Sequence, residues 1–139
     1  MKSVFISFVL LFVSFAVNAA NEVDAKSVYM ISTSIFMNGK LVSKPRITVS
    51  EGQVGTITET DSKKTHTTSL KVIATKSDIP NDPKAQGVLL NMDVYSKRDG
   101  EEIHSTPQMI LKEGHPGSIE IAEDSGKNLK LEVVVSKVR

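Results

Sequence analysis

The sequence predicts an all-β fold, a β-sandwich of about eight strands built from two similar four-stranded halves. Three observations carry the prediction. Apolar residues alternate with polar ones along most of the chain, the period of a half-buried strand. Turn dipeptides punctuate the alternation at short intervals. A thirteen-residue stretch, "PRITVSEGQVGTI" at 45–57, returns as "PQMILKEGHPGSI" at 107–119, sixty-two residues on, with its proline, Glu-Gly, second glycine and isoleucine intact.

The first nineteen residues read as a secretory signal peptide. Lys2 is followed by an apolar run from Val4 to Val17, and small residues place the cut after Ala19. The run is shorter than the roughly 20 apolar residues of a spanning helix, so no stable membrane insertion is expected after cleavage. Residues 20–139 then form one all-β domain.

Within that domain the strands are expected near 27–37, 43–50, 54–60, 66–75, 87–96, 105–112, 117–122 and 127–137. "NLKLEVVVSKV" puts Leu129, Leu131, Val133 and Val135 on one face. "GVLLNMDVYS" does the same with Val88, Leu90, Met92 and Val94. "KSDIPNDPKAQ", with Pro80 and Pro83, suits neither strand nor helix and reads as a linker over 76–86. It separates repeat halves at about 27–75 and 87–137.

Each half opens on an apolar-rich strand and turns at Asn38-Gly39 or Asp99-Gly100, dipeptides that supply positive φ in tight hairpins. A proline follows near the start of the next strand, Pro45 or Pro107, where a missing N–H costs least. Gly52 and Gly114 are expected at positive φ. Gly55 and Gly117 are expected to relieve crowding or to mark a bulge.

Composition narrows the function. Removing Lys2 leaves 16 basic side chains against 16 acidic ones, so no basic stripe marks a nucleic-acid partner. Cysteine is absent, which excludes a thiol nucleophile, a thiolate metal site and a lipid-anchored cysteine. An export signal without disulfides points to a bacterial periplasmic or secreted protein.

No motif brings catalytic chemistry with it. His66, His104 and His115 do not fall at ligand spacings such as i, i+2 on a strand. No serine or threonine lies in a nucleophile motif. Glu101 and Glu102 would point to opposite faces of a strand. "NDPK" and "EDSGKN" lack the order of a calcium loop. The reading is non-catalytic, with no catalytic residues, no metal site and no cofactor. The strand "THTTSLKV", with Thr65, Thr67 and Ser69 on one face and His66 and Thr68 on the other, is a candidate sheet edge for strand addition.

The string Ser43-x-Pro45-x-Ile47-x-Val49-x-Glu51-Gly52-x-x-Gly55-x-Ile57 resembles a segment of the secretin family, the outer-membrane channels of type II and type III secretion. The second copy, Ser105 to Ile119, matches nearly as well, with one residue inserted between Gly100 and Pro107. The resemblance covers about fifteen residues per copy and implies a shared hairpin style in an exported bacterial protein. Channel activity is not implied, because the ring-forming modules are missing and the unit occurs twice.

The expected function is therefore a soluble exported binding or interaction module of the cell envelope, its partner another envelope protein. The alternatives are a small exported hydrolase or metal-dependent enzyme using His66, His104 or His115, and a protease-inhibitor-like module presenting the turn at 51–55 or 113–117.

Overall fold

A computed structural model describes residues 26–138; the signal peptide assigned to 1–19 lies outside them. The described chain is all-β. Its strands are β1 (Val28–Met37), β2 (Lys40–Ser43), β3 (Arg46–Ser50), β4 (Val54–Thr60), β5 (His66–Ile79), β6 (Asp82–Arg98), β7 (Glu101–Ser105), β8 (Gln108–Lys112), β9 (Gly117–Ala122) and β10 (Asn128–Lys137). They form two five-stranded antiparallel sheets packed as a sandwich. Sheet A holds β2 and β3 side by side along β1, then β10 and β9; sheet B holds β4, β5 and β6, with β7 and β8 both along β6.

Ten strands replace the expected eight because two edge strands are interrupted, at Lys44-Pro45 and Thr106-Pro107. Proline has no N–H to give a ladder, and both prolines sit where the edge strand jogs. Their carbonyls still pair: Thr33 N–H donates to the Pro45 carbonyl and Met92 N–H to the Pro107 carbonyl, both at 3.0 Å.

The linker expected over 76–86 is instead the outer part of the β5–β6 hairpin. The ladder continues through Lys76↔Val88, Ser77↔Gly87 and Asp78↔Gln86, and Ile79 pairs with Asp82. Both prolines avoid the ladder. Pro80 takes the first corner of the turn and Asn81, at φ 75°, the second, the combination of a type II turn. Pro83 falls within the register shift between Asp78 and Ile79, where no N–H is called for.

Nor does each half build its own sheet. β1, β2 and β3 lie in sheet A, whereas β4 and β5 cross to sheet B; β6, β7 and β8 lie in sheet B, whereas β9 and β10 cross back. Exchanging the halves preserves the pairing, since β1 meets β10 as β6 meets β5. The crossover bonds match too. Gly52 N–H donates to the Ala74 carbonyl at 2.9 Å, and Gly114 N–H to that of Val135 at 2.8 Å. Gln53 N–H reaches the Ser50 carbonyl as His115 N–H reaches that of Lys112, both at 3.0 Å.

The core lies between the sheets and is aliphatic. Ile31 and Ile35 of β1, Leu70 and Val72 of β5, Val88, Leu90 and Val94 of β6, and Leu129 to Val135 of β10 at alternate positions are all buried. Each such side chain contributes roughly 1.5–3 kcal/mol by leaving water. At one end the core turns polar, where the Thr68 and Ser96 hydroxyls lie 3.4 Å apart and Ser96 Oγ donates to Met37 Sδ at 3.6 Å.

Gly52 and Gly114 have φ of 81° and 78°. Replacing either with alanine is expected to destabilise by about 1–2 kcal/mol, the cost of an L-residue in the left-handed region. Lys64, at φ 62°, holds the place that Gly126 holds in the second half, each closing the turn onto the carbonyl three residues back. Lys64→Gly is therefore expected to raise the urea midpoint, and Glu51→Gln and Glu113→Gln to leave it nearly unmoved. Glycine-to-alanine variants melting like the parent would contradict the assignment.

Candidate functional site

The three histidines occupy three places. His66 begins β5 with the parity of the buried Thr68 and Leu70, so it caps the polar end of the core. His104 on β7 is paired with Tyr95, on the opposite, outer face of sheet B. His115 is exposed in the β8–β9 turn, beyond the stretch of β8 that pairs with Gly87–Asn91 at the far end of β6. Among the described residues no group of three histidine, aspartate or glutamate side chains is placed to hold a metal ion.

Each of the first two has a carboxylate partner that the sequence spacing did not reveal. His66 Nε2 lies 3.2 Å from Asp99 Oδ1 and its Nδ1 3.5 Å from Asp61 Oδ2, so it links the β4–β5 loop to the β6–β7 turn. Asp61 is itself held by the backbone N–H groups of Thr65 and His66, at 2.8 and 3.0 Å, and by the Thr65 hydroxyl at 2.9 Å. The His66 backbone bond is the largest cause that lowers the Asp61 pKa below the ordinary carboxylate value. His104 Nε2 lies 2.6 Å from Asp93 Oδ1, with its ring edge-on to Tyr95. Neither pair has a serine or threonine hydroxyl bonded to the imidazole. Their geometry is that of surface clasps.

The other sequence candidates are structural or solvated. Glu101 accepts from Asn38 Nδ2 at 3.1 Å, tying together the two hairpin turns at the polar end. The turn over 51–55 is a short crossover between sheets, pinned by Glu51 N–H on the Ser27 carbonyl as well as by the Gly52 bond. "THTTSLKV" is not an edge: β5 lies between β4 and β6. Its hydroxyls face a neighbouring strand, with Ser69 Oγ 3.3 Å from Thr58 Oγ1. A shallow groove of about 220 Å³ lies where β2 jogs into β3, lined by Ser32, Ser34, Lys44, Arg46, Pro116 and Glu132.

The sheet edges differ in how they are closed. Natural edges are blunted by prolines, lysines, bulges or inward-pointing charges. The β2–β3 edge has the Pro45 jog with Lys40, Lys44 and Arg46; the β7–β8 edge has the Pro107 jog with Glu102 and Lys112. On β4 the inward position opposite Thr68 is Glu59, which accepts a hydrogen bond from the Ser43 hydroxyl of β2 and so bridges the sheets. β9 is preceded by Pro116, but the strand itself, Gly117–Ala122, holds no proline, lysine, bulge or inward charge. Its inward residues are Ile119 and Ile121, paired with Leu131 and Leu129.

Gly55 and Gly117 mark the two crossovers, and the crowding expectation holds at both. A Cβ on Gly55 would lie 2.8 Å from Ile47 Cδ1 and closer still to Val49; on Gly117 it would run into Leu111. Around Gly55, Ile47 and Val49 are buried and Ile57 is partly buried. Around Gly117 the packing is looser: Leu111 is buried, but Met109, Ile119 and Ile121 are only partly buried.

Comparison with protein families, with curated proteins and with solved structures finds no match.

The Asp61 geometry has a pH signature. Its folded-state pKa is depressed, so its contribution is complete above the unfolded value of about 3.9 and is lost as pH falls through the folded value. Asp61→Asn is expected to lower stability at neutral pH and to make the decline below about pH 4 shallower. Urea melts at a series of pH values read both; an unchanged acid slope would contradict the role.

Proposed function

We propose that this chain is a non-catalytic interaction module, exported to the periplasm or secreted, that binds another protein of the cell envelope. The observation that carries the reading is the unequal closure of the two sides of the sandwich. Where β3 and β4 meet, Ile47 and Val49 are buried, Ile57 alone of the inward aliphatic side chains is partly open, and a Ser43–Glu59 hydrogen bond spans the sheets. Where β8 and β9 meet, aliphatic side chains are left partly open and no charged residue points inward. An open sheet edge beside accessible apolar side chains is a surface suited to another polypeptide. The signal-like run from Val4 to Val17 supports export of such a surface, and the balanced charge argues against a polyanionic partner.

Affinity capture tests the reading, with the tagged protein expressed at native level in its own host and cross-linked in the intact envelope. The recovered protein is expected to begin at Ala20 and to carry a partner that binds it saturably once purified. An intact Met1 fractionating with the inner membrane would contradict the export assignment. A chain that forms no saturable complex with any cross-linked envelope protein would contradict the binding assignment.

A further inference from the structure

We infer that β9 is the docking edge, and that its occupant is an extended segment of a different polypeptide, added to sheet A as a further strand with aliphatic side chains at alternate positions. This assignment rests on the interaction-module reading and gives it a site and a ligand chemistry.

The two halves serve as a control on each other. β4 and β9 are equivalent strands, each at a sheet edge and each paired with the last strand of its half. At the first edge Ile47 is 3% exposed and Gly55 is buried; at the second their counterparts Met109 and Gly117 are partly exposed. Glu59 and Ile121 are also counterparts, as are Ser43 and Ser105. The first edge therefore carries an inward carboxylate, bonded to a serine, where the second carries an isoleucine, with Ser105 at the position matching that serine. A carboxylate at that position repels an incoming strand, because added pairing would leave it without water. The second edge lacks that barrier.

The backbone supplies the bonding groups. Glu123 N–H donates to the Lys127 carbonyl, which sets the phase of the antiparallel ladder between β9 and β10. Odd-numbered residues of β9 therefore point their N–H and C=O groups at β10, and Ser118, Glu120 and Ala122 point theirs at the edge that no described strand pairs. These groups align only with another extended backbone. On the core side, an added strand lies beside Ile119, Ile121 and Met109, so its residues facing that way are aliphatic. On the outer side it meets Ser118, Glu120 and Ala122, which suits threonine or lysine.

A second copy of the chain fits this gap less well. In a two-fold β9–β9 pairing centred on the strand, Glu120 would lie directly opposite the Glu120 of the other copy, and like charges across a ladder are destabilising, whereas a lysine there is favourable. A separate segment has side chains free to enter between β8 and β9.

The test uses the mature protein and a synthetic ten-residue peptide alternating isoleucine with threonine or lysine. Amide hydrogen exchange with and without peptide reads the site, and titration of labelled peptide reads affinity. The peptide is expected to protect the amides of Ser118, Glu120 and Ala122 and to leave those of Thr56, Thr58 and Thr60 on β4 unchanged. Ile121→Glu transplants the inward carboxylate of the first edge to the second and is expected to weaken peptide binding about tenfold or more. Glu120→Pro, which removes one outward N–H and no backbone bond to β10, with only the side-chain bond from Asn128 Nδ2 lost alongside, is expected to weaken it as well. Urea melts confirm that each variant folds, and two independent variants guard against one that does not.

Protection at β4, absence of protection at β9, or parental affinity in a folded Ile121→Glu variant would overturn the assignment. Protection of β9 by self-association, rising with protein concentration without peptide, would overturn the separate polypeptide as occupant. Should the envelope partner still bind a folded Ile121→Glu variant as it binds the parent, the edge assignment falls and the interaction-module reading survives.

Discussion

The constraint on which this structure depends is the exchange of strands between sheets. Both central pairings, β1 with β10 and β5 with β6, join one half of the chain to the other. Each half begins in one sheet and ends in the other, so neither closes an apolar layer by itself. The buried faces of β1 and β6 meet only once β10 and β5 lie beside them. The crossovers must be tight for this to work, which is why glycines recur there. Gly52 and Gly114 reverse the chain at positive φ, and Gly55 and Gly117 let the next strand pass close under the last.

Equivalent positions in the two halves have then taken different chemistry. Thr33 faces the core at the place of Met92, and its hydroxyl has no hydrogen-bond partner among the described side-chain and backbone groups. Lys64 strains where Gly126 does not. Glu59 guards an edge that Ile121 leaves open. Such pairs separate what the fold needs from what it tolerates, since the shared geometry stays fixed while the side chains change. The β8–β9 side stands out at Met109, Gly117 and Ile121, where the counterparts Ile47 and Gly55 are more deeply buried and Glu59 carries a charge.

Much of the fold was legible in the sequence, for physical reasons that act locally. Period-two alternation marked the inward residues of β6 and β10, and Asn38-Gly39 and Asp99-Gly100 announced hairpins that occur with φ of 51° at both first positions. The β5–β6 arm was not legible. Its prolines look like breakers until the turn and register shift show where their missing N–H groups go unneeded. Sheet membership was hidden too, because alternation says which face a residue takes but not which strand lies alongside. For the same reason "THTTSLKV" resembled an edge and is central, and the His66–Asp99 and His104–Asp93 contacts depend on strand pairing. The open edge at β9 emerges only when both crossovers are compared in space.

The central claim is that the halves complete one another across the sheets. The most direct measurement is fragment complementation, with residues 26–79 and 82–138 produced as separate chains. Each alone is expected to show no cooperative urea transition as a monomer. Mixed in equal amounts, they are expected to recover one transition and the β-sheet circular dichroism of the intact protein. A stable, cooperatively folded monomer of either half alone would contradict the account.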